Sequence, residues 1–309
     1  MKFMDLHCDT LTALQPQGQC LRENHLHLDL LRMKEAGQLA QCFAIFVHQK
    51  HCIEQGITPY EYYQVHKALF YAEMEANADL IAPAFSTADV LENQKRGLMS
   101  GILTVEAGEP LEGKTERLEV LKKDGVRMIT LTWNFENELG FSHAIGGHLK
   151  KKGQEVVDAM NRLGILVDVS HLSDEGFWDC IALSQGRYPV IASHSDARAL
   201  CGHSRNLTDE MLKALGNTGG VVGVNYYAAF LTPGGKEAAM EQVRAHVLHL
   251  IDKAGVDHVA LGSDYDGIST GMEWKDVSGT PALLEYLHEK ISWEDLEKIA
   301  YRNALCVFR

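Results

Sequence analysis

The chain has 309 residues, 46% of them hydrophobic and 23% charged, and a net charge of −13. A chain this long buries roughly three quarters of the surface it exposes when unfolded, so one large core or two ordinary ones can form without disulfides. The surplus of negative charge repels phosphate backbones and anionic membranes, which sets aside nucleic acid and lipid headgroups as main partners and favours small molecules and divalent cations.

Along the chain, short apolar runs alternate with longer amphipathic segments. Strands are predicted at residues 2–7, 41–47, 98–105, 126–132, 165–170, 189–193, 220–225 and 258–262. Each run is almost continuously hydrophobic, as a strand covered on both faces of a parallel sheet must be. Helix starts are marked between them: Thr58 stands before Pro59, Ser86 precedes Asp89 in a capping-box spacing, and Ser173, Thr208 and Ser292 each precede acids. Gly125 and Gly164 close helical runs just before the next strand. Eight β-then-α units with two helical patterns left over predict an α/β fold, a (β/α)8 TIM barrel. A doubly wound open sheet uses the same alternation and is the rival. No linker, repeat or low-complexity tract interrupts the pattern, so a single domain over residues 1–309 is expected. The seven cysteines are scattered and never spaced C-x-x-C, and no signal peptide or 18-residue apolar stretch occurs, which gives a cytoplasmic reading.

Metal-ligating residue types recur where the apolar runs end: His7 and Asp9, Glu106, His171, His194 and Asp264. A barrel builds its active site at the carboxyl ends of its strands. In an extended segment His7 and Asp9 share a face and Cys8 points away. Three imidazoles with carboxylates form a borderline-hard donor set suited to Zn²⁺. A carboxylate shared by two metals gives a dinuclear site, which acidifies a bridging water and polarises a carbonyl, the chemistry of a hydrolase.

These residues resemble the membrane (renal) dipeptidase family of zinc peptidases, in a soluble, bacterial-type form. The similarity covers nearly the whole chain. It is carried by Asp5-Leu6-His7-Cys8-Asp9, Val105-Glu106, the stretch from Ile165 to His171, Ser193-His194-Ser195 continuing to Arg205-Asn206-Leu207, and Gly262-Ser263-Asp264-Tyr265-Asp266-Gly267. The resemblance implies a metal-dependent hydrolase barrel with two Zn²⁺ per chain. His7 and Asp9 would hold one ion and His171 and His194 the other, with Glu106 bridging. It further implies Asp264 as general base and acid, Arg205 as the clamp for a dipeptide's free carboxylate, and a metal-bridging hydroxide as nucleophile. A homodimer is left open. One departure stands out: many members carry a histidine after the fourth strand, in an L-T-H context, that helps stabilise the oxyanion, and here the stretch reads Leu131-Thr132-Trp133. His143 and His148 are the candidates to replace it.

Other readings compete. A metal amidohydrolase acting on a non-peptide amide or lactone fits the same residues, with Trp133 as its main support, and so does a metal-holding barrel without turnover. Gly108 to Thr115 matches the phosphate-loop pattern G-x-x-x-x-G-K-[ST] of a nucleotide-binding protein, but Glu109, Glu112 and the donorless Pro110 oppose an anion there. His246 and His249 read as solvated, His25 and His27 as loop residues near the mouth, and Tyr60, Tyr62, Tyr63 and Tyr71 as packing on one helix. No G-x-G-x-x-G follows a strand and no G-x-S-x-G occurs, which removes the dinucleotide and serine-hydrolase signatures.

Overall fold

The computed structural model describes the backbone of residues 1–309 and the side chains of all but 16 and 17. Its strands are β1 (Phe3–Cys8), β2 (Gln38–Phe46), β3 (Ile81–Pro83), β4 (Met99–Glu106), β5 (Met128–Thr130), β6 (Leu166–Asp168), β7 (Val190–Ile191), β8 (Val222–Val224), β9 (Glu237–Ala238), β10 (Val259–Leu261) and β11 (Gly271–Met272). Eight of them pair in parallel in the order β7-β6-β5-β4-β2-β1-β10-β8. A parallel bridge between Ala192 and Val222 joins the two ends, so the sheet closes as a barrel and the open-sheet rival is excluded. At this seam a Cβ on Gly223 or Gly262 would stand 2.1 or 1.9 Å from the Ser193 carbonyl oxygen, which only glycine tolerates.

All eight predicted strands are present. Three further strands were not predicted. β3 extends the lower edge of β4, and β9 pairs with β11 as a separate ribbon. Each is only two or three residues long, too short to show a period. The helix signals also held. Thr58 and Glu61 form a reciprocal capping box, Ser86, Ser173, Thr208 and Ser292 cap their helices, and Gly164 ends its helix in a left-handed conformation.

Two apolar layers follow from the alternation along the strands. Phe3, Phe43, Ile45, Leu103, Val105 and Ile129 pack outward against the helices. Met4, Leu6, Cys42, Ile102, Met128 and Ile191 fill the barrel with Leu305 from the helix Asn303–Val307 and Phe308 just beyond it. The β1–β2 register shifts between Asp5 and Cys8. This bulge re-aims the chain: Leu6 packs inside the barrel while the adjacent His7 reaches the polar cluster at its mouth, and Cys8 turns to the Cys42 carbonyl oxygen.

The stretch from Gly108 to Thr115 does not form a phosphate cradle. Glu109–Leu111 is a single 3-10 turn, Glu112 takes a left-handed conformation, and Lys114 lies 3.5 Å from the Glu112 carboxylate. His246 departs from expectation too. It is buried, accepts from the Ala197 N–H at 3.1 Å and donates to the Leu231 carbonyl at 3.0 Å, so it is a structural histidine. His249 pairs with Asp209 at 2.7 Å.

Burial pushes the Glu109 carboxyl up to about 7, against the lowering effect of its hydrogen bond from Asn137. A carboxyl raised on folding contributes its stability below the ordinary carboxyl range and loses it as pH climbs through 7. Glu109→Gln should therefore stabilise the protein by roughly 1–3 kcal/mol at pH 8 and leave it unchanged at pH 4. Denaturant midpoints at the two pH values test this, and an equal shift at both would contradict it.

Candidate metal centre

His7 lies in β1 with Asp9 just beyond it, and Glu106 is the last residue of β4. His171, His194 and Asp264 each stand three positions past the end of β6, β7 and β10. All six, singled out separately in the sequence, meet at the carboxyl-terminal mouth. The Nε2 of His7 is 3.4 Å from Glu106 Oε2 and 3.8 Å from both Asp9 Oδ1 and Asp264 Oδ1. The other carboxylate oxygen, Oε1, is 3.0 Å from His171 Nε2 and 3.8 Å from His194 Nε2, and those two nitrogens are 2.9 Å apart. Ligands bound to tetrahedral zinc at about 2.0–2.2 Å stand about 3.3–3.6 Å from one another. The separations bracket that value.

The donor atoms have the chemistry of a cation site. His7 Nε2 and Asp9 Oδ1 are buried and have no hydrogen-bond partner. Two imidazole nitrogens facing each other can share only one proton, whereas a cation takes both lone pairs. Burial would lower the His7 imidazole, yet Glu106 and Asp9 overcome it and hold it well above its usual value. Burial pushes Glu106 up to about 8, with Asp9 adding to the rise and His7 opposing it. Burial holds His171 and His194 well below the usual histidine value, so both keep free lone pairs. A cation bound here would displace the protons that these raised groups carry.

A second layer of buried groups aims these side chains, and the sequence did not reveal it. Asp168 accepts from the backbone of Ser170 and Ser193, from the Ser193 hydroxyl at 2.6 Å and from the Thr130 hydroxyl at 2.5 Å; Ser193 Oγ in turn lies 2.7 Å from His194 Nδ1. Asn134 Oδ1 accepts from His171 Nδ1 at 2.8 Å and from His143 Nε2 at 3.1 Å. These bonds fix the tautomers that leave both Nε2 atoms free for a cation. On the opposite side Asp5 accepts from the backbone N–H groups of His7 and Ser263 and from Gln41. His171 and Asp264 hold φ of 68° and 61°, left-handed conformations that cost a non-glycine residue free energy and cluster at functional sites.

Above the cluster is a cavity of about 480 Å³, lined at its floor by Asp9, Glu106, His171 and Asp264. Arg205 is buried beside it. Its Nη1 donates to Ser195 Oγ at 3.3 Å and its Nη2 to the His194 carbonyl at 3.2 Å, and its Nε has no partner. Among the described residues it has no ion-paired carboxylate, and its guanidinium lies 5.3 Å from the Phe230 ring centroid. Of the two histidines proposed for the oxyanion, His148 is exposed and bound to Asp179, away from the site. His143 stands next to the cluster, held neutral by burial and by Arg205 with its value down to about 3. Trp133 lines the cavity.

A closed parallel barrel with buried imidazoles and carboxylates gathered at its carboxyl-terminal mouth is the architecture of a metal-dependent hydrolase. The comparisons with known proteins narrow the class. Residues 1–309 match the membrane dipeptidase family, peptidase family M19. An uncharacterized dipeptidase of Schizosaccharomyces pombe is 33% identical over 303 residues, 92% of this chain and 72% of its own. A dipeptidase of Aspergillus oryzae, aclJ, is 31% identical over 295 residues, 91% of this chain and 69% of its own. A solved metallopeptidase from Rhodobacter sphaeroides, liganded with a phosphinate mimic of the dipeptide L-Ala-D-Ala, superposes with a TM-score of 0.91 at 27% identity, over 100% of this chain and 98% of that one. The chain belongs to the membrane dipeptidase family and is a metal-dependent hydrolase.

If Asn134 aims His171, Asn134→Ala should weaken metal retention about 10- to 100-fold. Competition against a chromogenic chelator measures it, and unchanged affinity would remove Asn134 from the site.

Proposed function

We propose that the chain is a cytoplasmic zinc dipeptidase, acting as one domain over residues 1–309, that hydrolyses the single amide of a dipeptide with two Zn²⁺ ions. The observation that carries this reading is the position of Glu106, whose two oxygens face separate donor groups: His7, with Asp9 beside it, on one side, and His171 with His194 on the other. The residues fit such a pair. His7 and Asp9 would hold one ion, His171 and His194 the second, and Glu106 both. When bound, the ions supply an acidified water and polarise the scissile carbonyl.

The remaining steps belong to protein side chains. Asp264 has one oxygen at 3.8 Å from His7 Nε2 and the other held by Asn225 Nδ2 at 3.0 Å. Burial raises its carboxyl to about 6, against the opposing charge of His7. From there it takes the proton of the attacking water and returns it to the leaving amine. Arg205, whose Nε lacks a partner and which has no ion-paired carboxylate among the described residues, offers its guanidinium to the free carboxylate, the group that distinguishes a dipeptide from an internal peptide bond. Seven free cysteines, five of them buried, support a reducing compartment. No helix among the described residues is long and apolar enough to cross a membrane.

Chelation should abolish dipeptide hydrolysis and lower the melting temperature, and zinc should restore both; turnover that survives metal removal would overturn the reading. Asp264→Asn should cut kcat about 100-fold or more while metal content is unchanged. Arg205→Ala should raise KM for free dipeptides and spare carboxyl-amidated ones, and equal losses on both would contradict the clamp.

A further inference from the structure

We propose that the cavity wall opposite Arg205 recognises the side chain of the substrate's first residue and selects dipeptides whose amino-terminal residue is large, uncharged and apolar, aromatic ones above all. This inference rests on the dipeptidase reading and names its substrate class.

The barrel fixes which end of the substrate meets which wall. Arg205 lies in the segment after β7, against Phe230 from the segment after β8. In the closed ring β2 is four places from β7, and β4 is four places from β8, so the segment after β2 stands diametrically opposite the clamp. With the carboxylate on Arg205 and the scissile carbonyl over the cluster around Glu106, the extended substrate directs its first residue toward the ends of β2 and β4, where Trp133, from the segment after β5, leans onto Phe46. That side of the cavity is lined by Phe46, His51, Gln55, Tyr62 and Trp133.

These rings form a connected aromatic surface. Trp133 packs edge-on against Phe46 and His48, each at 5.0 Å between centroids, and against Phe135 at 5.5 Å. His48 in turn lies 4.7 Å from His51. On its other side the Trp133 ring lies 6.2 Å from that of His171, centroid to centroid. A side chain leaving the reacting carbonyl on this side therefore meets an indole first. The surface extends outward through Phe135, which is 57% exposed and so leaves room for a large group.

Charge is absent from this wall. None of its five lining residues is an acid, lysine or arginine, and the carboxylate next to it, Glu106, the register partner of Phe46, is turned to His7 and His171. The two charged residues of the helix Gln49–Gln55, Lys50 and Glu54, pair with each other at 3.7 Å on its exposed side. A lysine or glutamate side chain placed against the rings would lose water and gain no partner. An aromatic one would gain ring contacts and buried apolar area. Hydrophobic discrimination of this kind is worth about 10- to 100-fold in kcat/KM.

The test is a panel of dipeptides on the zinc-loaded enzyme, varying first one position and then the other against a constant alanine. Phe-Ala and Leu-Ala should exceed Gly-Ala by about 10- to 100-fold in kcat/KM, Lys-Ala and Glu-Ala should fall below Leu-Ala, and the spread across Ala-X should be smaller. Trp133→Ala should collapse the Phe-Ala to Gly-Ala ratio about tenfold or more, while Trp133→Phe should retain most of it. The ratio cancels any uniform loss of turnover, and Phe46→Ala serves if the tryptophan variant does not fold. Phosphinate mimics of Phe-Ala and Ala-Ala, bound to the holoenzyme and followed by calorimetry, should show the same preference without turnover. Selection at the second residue, or a ratio unchanged in both variants, would overturn this inference and leave the dipeptidase reading standing. Failure to hydrolyse any dipeptide would overturn both.

Discussion

The carboxylate of Glu106 is buried among three imidazoles, with two further carboxylates, Asp9 and Asp264, within reach of the same His7 nitrogen. Like charges at such distances in a dry site cannot all ionise unless cations stand between them. The unpartnered His7 Nε2 and Asp9 Oδ1, the raised protonation of both His7 and Glu106, and the left-handed backbone at His171 and Asp264 all converge on this one demand. In the proposed reading a pair of divalent ions meets it, and the barrel exists to hold the ligands in place until they bind.

The scaffold enforces that constraint by several independent devices. The β1 bulge brings His7 to the mouth beside Asp9. The glycine seam at Gly223 and Gly262 lets the backbone carrying Ser193 approach its neighbours closely, and Ser193 then links Asp168 to His194. Asn134 ties His171 to His143, and His143 Nδ1 contacts Ser204 Oγ at 2.8 Å, next to Arg205. The proposed clamp and the proposed metal ligands therefore share one hydrogen-bonded frame, so a substrate carboxylate drawn to Arg205 and a carbonyl drawn to the cluster are held in fixed relation.

Much of this is legible in the sequence. Continuous apolar runs marked all eight barrel strands because a parallel sheet covered on both faces has no polar side to interrupt them. Polar residues at the ends of those runs stood out for the same reason, and His7, Asp9, Glu106, His171, His194 and Asp264 converge in space. The supporting layer was not legible. Asp168 ends an ordinary strand and Asn134 sits in a loop, and only the pairing of β5 with β6 and of β6 with β7 brings Asn134 to His171 and Asp168, through Ser193, to His194. His246 looked like a surface residue of an amphipathic helix, but its two bonds run to backbone groups far away in sequence. Of the two loop histidines offered as replacements at Trp133, only spatial position separates His143, beside the cluster, from His148, on Asp179.

The central claim is that two cations share Glu106, and anomalous diffraction at the zinc edge from crystals of the zinc-loaded protein tests it most directly. The account predicts two peaks per chain, one between His7 and Asp9, the other between His171 and His194, with a Glu106 oxygen on each. A single peak, or peaks away from Glu106, would contradict it.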